Sequence, residues 1–245
     1  MFLGYTLDHV ALGLHRIADG APFLAAELGG RFRDGGPSGN FTGAQWSFAD
    51  GERLELIEPL GEAGGFMHRF LETRGPGVHH VTFKVADIVA AAERVRRFRY
   101  DVVGYNDDFP YWKELFIHPK QALGIVIQLA EEHPFPEGAE AWNAGWDVPR
   151  CPPAAEPPAR IVGLRLTARS GAAARRQWGE LLGGRERVDG ERLVFEWPDS
   201  PLRVSVRVDA SRADGPEAIE IRCARRLALV AGRHPQLGAR FEQIA

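Results

Sequence analysis

The sequence is poor in several things, and each scarcity removes a class of protein. It has only two cysteines, Cys151 and Cys223, far apart and outside any CxxC pattern, so neither a disulfide scaffold nor a structural zinc site is expected. Of the 30 basic residues only Lys84, Lys113 and Lys120 are lysine, and the arginines are mixed with acids rather than massed. With a formal net charge of -3, the chain is not expected to bind nucleic acid. No apolar run approaches the roughly 18 residues that a membrane span needs, and the start MFLGYTLDHVALGLHR lacks a basic segment followed by a long apolar one. A cytoplasmic protein is expected. What is present is ordinary for a globular chain, 44% hydrophobic and 26% charged over 245 residues.

Proline is concentrated rather than scarce. Residues 133–160 hold Pro134, Pro136, Pro149, Pro152, Pro153, Pro157 and Pro158, which cannot donate the amide bonds of helices or central strands. A linker or strap is expected there, with Trp142 and Trp146 packing part of it down. On either side one pattern recurs. TLDHVALGL reads as a strand, Ala21, Leu24, Ala25 and Leu28 fall at helical spacing, Gly29 and Gly30 close that helix, and further strands follow in 31–42, GAQWSFAD and RLELIEPL. The order returns from GVHHVTFKV with Ile88, Ala91, Ala92 and Val95 on a helix, then strands near 101–105, in WKELFIHP and in LGIVIQLAE. A third copy opens at IVGLRLTA, with Ala174, Trp178, Leu181 and Leu182 on its helix. A fourth is cut short after GPEAIEIRC and a final helix in 224–245. The expected fold is α+β: tandem βαβββ modules forming a curved mixed sheet, with a third, degenerate module and a partial fourth. The boundaries read as 1–132, a linker 133–160, and 161–245.

Aligning LDHVAL with HHVTF sets His9 against His80, not His79. The final strands then pair Glu55 with Gln128, at spacings of 55 − 9 = 46 and 128 − 80 = 48 residues. Strand alternation turns Val81, Phe83 and Val85 toward the helix and His80, Thr82 and Lys84 the other way. His79 shares the helix side, and His15, His68, His118 and His133 read as surface or loop histidines. Two imidazoles and two side-chain oxygens form a mixed set suited to a divalent ion such as Zn, Co, Ni, Mn or Fe. In the third module His9 falls on Gly163, and the final-strand position falls near Ser205 or Arg207, so no ligand set survives. Glu220, aligned with His80, reads as an exposed strand residue.

These residues resemble the vicinal oxygen chelate superfamily of glyoxalases, bleomycin-resistance proteins and ring-cleaving dioxygenases, over residues 6–132. LDHVAL, GVHHVTF and FIHPKQALGIVIQL look most like the methylmalonyl-CoA epimerases. The resemblance implies two modules cupping one divalent metal held by His9, Glu55, His80 and Gln128. The epimerases take Gln from the first module and Glu from the second, whereas this order is reversed here. It also implies an isomerase, epimerase or lyase that stabilises an enolate of a small oxo-acid or acyl thioester. Glu55 is the first base expected and Glu114 the second, and Lys84 is placed to meet an anionic substrate group. The alternatives are a non-catalytic small-molecule binding protein and an Fe(II) ring-cleaving dioxygenase. A homodimer is expected, because a third module without a partner leaves edges and an apolar face to cover.

Overall fold

The computed structural model describes residues 4–134 and 146–244. The first module is β1 (Thr6–Gly13), α1 (Ile17–Pro22), β2 (Arg31–Ser38), β3 (Phe41–Ser47) and β4 (Arg53–Pro59). After a short helix α2 (Phe66–Arg74) come β5 (Gly77–Lys84), α3 (Ile88–Arg97), β6 (Val103–Asn106), β7 (Trp112–Ile117) and β8 (Val126–Glu132). The third module supplies β9 (Arg160–Ala168), α4 (Gly171–Ala174), β10 (Arg185–Asp189), β11 (Arg192–Glu196) and β12 (Arg203–Val208). β13 (Gly215–Arg222) and β14 (Phe241–Gln243) end the chain. One mixed sheet runs β2-β3-β4-β1-β5-β8-β7-β6 and a second runs β10-β11-β12-β9-β13-β14. This is the expected α+β fold of curled mixed sheets built from repeated modules. Among the described residues no helix is long and apolar enough to cross a membrane.

Local chemistry explains the helices. Asp87 caps α3 by accepting the amides of Val89 and Ala90, and Glu131 accepts that of Ile88. Arg94, Arg96 and Arg97 then occupy its last turn, where cations suit the helix dipole. The helices of the first and third modules widen into π turns at Phe23–Glu27 and Arg175–Leu181. There Leu28 and Leu182 donate five residues back, to Phe23 and Gln177. α2 carries no repeat signal and was not anticipated; it places Met67 and Leu71 in the core.

The chain divides into two compact units, neither continuous in sequence. One combines the residues up to His9, the run from His80 through β8, and Gly163–Glu217; the other combines Val10–His79, the strap before β9 and the chain from Ala218 onward. In the first unit, α3 meets the third module's helix. Arg94 donates to the carbonyls of Glu180 and Leu181, Arg176 to that of Phe98, and Phe83 packs edge-on to Trp197 at 4.9 Å. In the second unit, Phe23 stacks on His234 and Phe241 at 4.3 and 5.0 Å, and Arg225 pairs with Glu27. Burial there pushes the His234 imidazole below its usual pKa. The strap is tied to the first helix as well: Ala155 and Ala159 donate to Ala25 and Leu28, and Trp146 lies against Phe32. Gly29 makes that close approach possible, because at φ +74° its Cβ position lies 2.4 Å from the Ala155 carbonyl oxygen. Trp142 lies outside the described residues.

Two expectations are corrected. Residues 224–244 form no helix; Gly232, Pro235 and Gly238 interrupt them, and their last segment adds β14 in parallel to β13. Glu220 is buried at 1% exposure rather than exposed; it lies in β13, whose residues Ile219–Ile221 are flanked in parallel by β14.

Candidate metal centre

Register decides which side chains share the cup. β5 pairs in parallel with β8, matching His80 to Val126, Thr82 to Gln128 and Lys84 to Ala130. β7 then matches Phe116 to Gln128, Glu114 to Ala130 and Trp112 to Glu132. Cross-strand partners point to one side, so His80, Thr82, Lys84, Gln128 and Glu114 line a single face. Val81, Phe83, Ile127 and Leu129 fill the other and are fully buried. In the first module the same rule puts Asp34, Gln45 and Glu55 on one face.

His9, Glu55 and His80 are all buried and present one ligand atom each, all within 4.8 Å of one another. Donors about 2.1 Å from a common ion stand at most about 4.2 Å apart, so small rotamer shifts bring this set into ligating range. The two imidazoles meet edge to face, with centroids 5.8 Å apart. The donor set therefore fits a borderline divalent ion.

A polar chain runs out from His9. Its Nδ1 is 2.7 Å from Asp8 Oδ2, which leaves Nε2 aimed at the cup. Nε2 is 2.9 Å from Thr82 Oγ1, and Thr82 donates to Gln128 Oε1 at 2.5 Å. A metal ion needs the unprotonated Nε2, and binding there would take the place of its contact with Thr82. Gln128 Nε2 donates to Glu114 Oε2 at 2.7 Å, and Trp112 donates to the same oxygen at 2.9 Å. Lys84 is engaged by Glu132 at 2.7 Å and by the Trp112 ring at 3.7 Å. Gln128 is thus beside His9 through Thr82, Glu114 is beside Gln128, and Lys84 is committed to its own partners.

His79 points away, packing on Phe70 and Phe66 of α2 at 4.8 and 5.6 Å. His68 sits in α2 itself and His133 pairs with Glu131. Sequence reading missed Asp8, because strand neighbours ordinarily face opposite ways, and the His9 pair bridges that alternation. It also missed Asp34. Burial pushes the Asp34 carboxyl above its usual pKa, against Arg33 and Arg53, and the charge of Glu55 adds to the rise. Elsewhere in the second unit a recess of about 530 Å³ is lined by Arg16, Glu58, Trp146 and Arg150 among others.

Comparison with known proteins agrees with the fold. Residues 8–116 match the model of the Glyoxalase/Bleomycin resistance protein/Dioxygenase superfamily, and the uncharacterized Bacillus subtilis protein YqjC is 30% identical over 131 residues, 51% of this chain and 91% of that one. The chain belongs to that superfamily. The superfamily match takes in His9, Glu55, His80 and Glu114 and stops short of Gln128. An ethylmalonyl-CoA/methylmalonyl-CoA epimerase of Cereibacter sphaeroides is 35% identical over 83 residues, 32% of this chain and 61% of the epimerase. A hypothetical protein from Staphylococcus aureus is similar in fold over 98% of this chain and 100% of its own, with a TM-score of 0.63 at 11% identity. That likeness extends the shared fold through the third module.

Proposed function

We propose that the chain is a metal-dependent epimerase or isomerase, or a lyase of related chemistry, acting on a small oxo-acid or acyl thioester. The observation that carries this reading is the buried His9, Glu55 and His80 cluster, at places predicted by the repeat. The identity to an epimerase supports it. A divalent ion, held by His9, Glu55, His80 and a rotated Gln128, would supply Lewis-acid stabilisation of charge developing on a carbonyl oxygen. The residues do the rest. Asp8 fixes the ring of His9, and Thr82 sets the spacing between His9 and Gln128. Each of the two modules brings a carboxylate to its cup face, Glu55 and Glu114, and these take and return the proton alpha to the carbonyl. Trp112 and Gln128 hold the Glu114 carboxylate in one orientation. Lys84 meets an anionic substrate group by exchanging Glu132 for it. A cytoplasmic homodimer, associating through open strands such as β6 or β10, completes the reading.

A second reading is a binding protein of the same fold, favoured by the closed His9–Thr82–Gln128 network. Elemental analysis of tag-free protein separates the two. Wild type and His79→Ala should carry about one divalent ion per chain and His80→Ala almost none, with solvent deuterium entering acyl thioesters alpha to the carbonyl only when the ion is present. If all three stay empty after metal supplementation, the enzyme reading fails and the binding protein stands. Oxygen uptake with bound iron would instead indicate a dioxygenase.

A further inference from the structure

The recess beside the strap is a space that the proposed reaction does not use. Its walls come from the turn after β1, from the end of β4 and from Trp146–Arg150 of the strap, all within one compact unit. These walls are held in place. Glu58 accepts the Ile17 amide at 2.5 Å, so β4 supplies the cap that Arg16, at the start of α1, does not provide with its own side chain. The indole of Trp146 packs on Phe32 at 6.3 Å, and the Cys151 thiol donates to the Pro149 carbonyl at 3.6 Å. At about 530 Å³ the recess falls within the range of small-molecule pockets, about 300–1,000 Å³.

Its charged groups are of both signs. Arg16 and Arg150 line it together with Glu58 and Asp147. The side chains of Arg16, Arg150 and Asp147 are exposed and form no hydrogen bond or ion pair among the described residues. Charges of opposite sign thus border one space without closing on one another. With Glu58 they balance, two against two, so a ligand of net charge would upset a balance that a zwitterion keeps. Ile17, Pro59, Trp146 and Val148 add apolar surface to the same lining.

We propose that this recess binds an apolar α-amino acid as its zwitterion. The α-carboxylate is taken by the guanidinium groups of Arg16 and Arg150, whose forks match its two oxygens. Asp147 takes the α-ammonium. The side chain lies on the apolar surface of Trp146 and Pro59. A plain carboxylate would leave an anion facing Asp147, and a plain amine would leave both guanidinium groups unanswered. The site is independent of the metal reading, since none of its residues belongs to the metal cluster.

The test is calorimetric titration of the full chain with L-phenylalanine, and in parallel with hydrocinnamate, which lacks the ammonium, and phenethylamine, which lacks the carboxylate, at matched ionic strength. Wild type should bind phenylalanine about tenfold or more tightly than either. Arg150→Gln and Asp147→Asn should each weaken phenylalanine binding by about tenfold or more, and Asp147→Asn should bind hydrocinnamate at least as well as wild type does. Arg175→Gln, on the third module's helix and paired with Glu186, should bind like wild type. So should His80→Ala, because an amino acid chelated at the metal cup would lose its place there and one in the recess would not. Circular dichroism establishes that each variant is folded, and if one of the two recess variants is not, the other decides. No binding of phenylalanine to wild type, equal binding by all variants, equal binding of either analogue, or loss of binding in folded His80→Ala would each overturn the proposal.

Discussion

Where β1 carries His9, the corresponding strand β9 carries Gly163. The first sheet runs β2-β3-β4-β1-β5-β8 before its last two strands, and the second runs β10-β11-β12-β9-β13-β14, so the two are position for position the same device. At Gly163, φ is +154° and a Cβ would lie 2.0 Å from the Arg203 carbonyl oxygen. No ligand-bearing side chain fits there. The first face is a short chain of neutral and acidic hydrogen-bonding groups ending in imidazole, whereas the second sets Ser205 among arginines, two of which, Arg192 and Arg207, are paired with Glu217. One architecture therefore holds two chemistries, and the backbone at a single strand position helps decide which.

The sharpest way to break that comparison is to graft the histidine back. Gly163→His should destabilise the protein by about 3 kcal/mol or more, through backbone strain and overlap with β12, read as a fall in the urea midpoint. Restored metal binding without loss of stability would show that the backbone is not the obstacle. Next in size, Asp8→Asn should weaken metal affinity by about 10- to 100-fold while leaving the fold intact, measured by competition with a chromophoric chelator. Thr82→Val, which removes the bridge between His9 and Gln128, should cost about 1–2 kcal/mol in metal-free protein. Ser205→Ala, at the corresponding face of the second sheet, should cost less than about 1 kcal/mol, and the two urea curves compare them directly.

The smallest effect concerns the helices behind the two faces. α4 is capped by the uncharged Ser170, which accepts from Ala173. α3 leans on the Glu131 carboxylate. Burial works against that charge, but the Ile88 amide, His133 and Lys113 outweigh it and hold the pKa down to about 2, from an ordinary 4.5. A depressed carboxylate contributes stability that is present above its unfolded pKa and lost as pH falls through the folded one. Wild type should lose this contribution between about pH 4.5 and 2, and Glu131→Gln should lack that part of the acid dependence in a pH series of denaturation curves.

Much of the first sheet was legible in the sequence, because period-2 alternation in HVTFKV and period-3.6 spacing in Ile88, Ala91, Ala92 and Val95 report burial directly. The matched histidines could be found because a repeat supplies its own alignment. Asp8 was not legible, since its contact with His9 runs against strand alternation. Neither was the fate of residues 224–244, which the repeat suggested as one more helix and which instead form an irregular run and β14.

By itself, the sequence determined the modules, their order and the identity of the side chains offered to each face, since these follow from local periodicity and composition. Only the tertiary structure decided which side chains meet. It brought Glu55 to two histidines, joined His9 to Gln128 through Thr82, and buried Glu220. It also drew module helices against C-terminal segments more than 75 residues away, as when Arg94 reaches Leu181 or Arg225 reaches Glu27. Those outcomes depend on strand register and on which apolar faces find each other, and both are long-range free-energy terms that no local window of sequence contains.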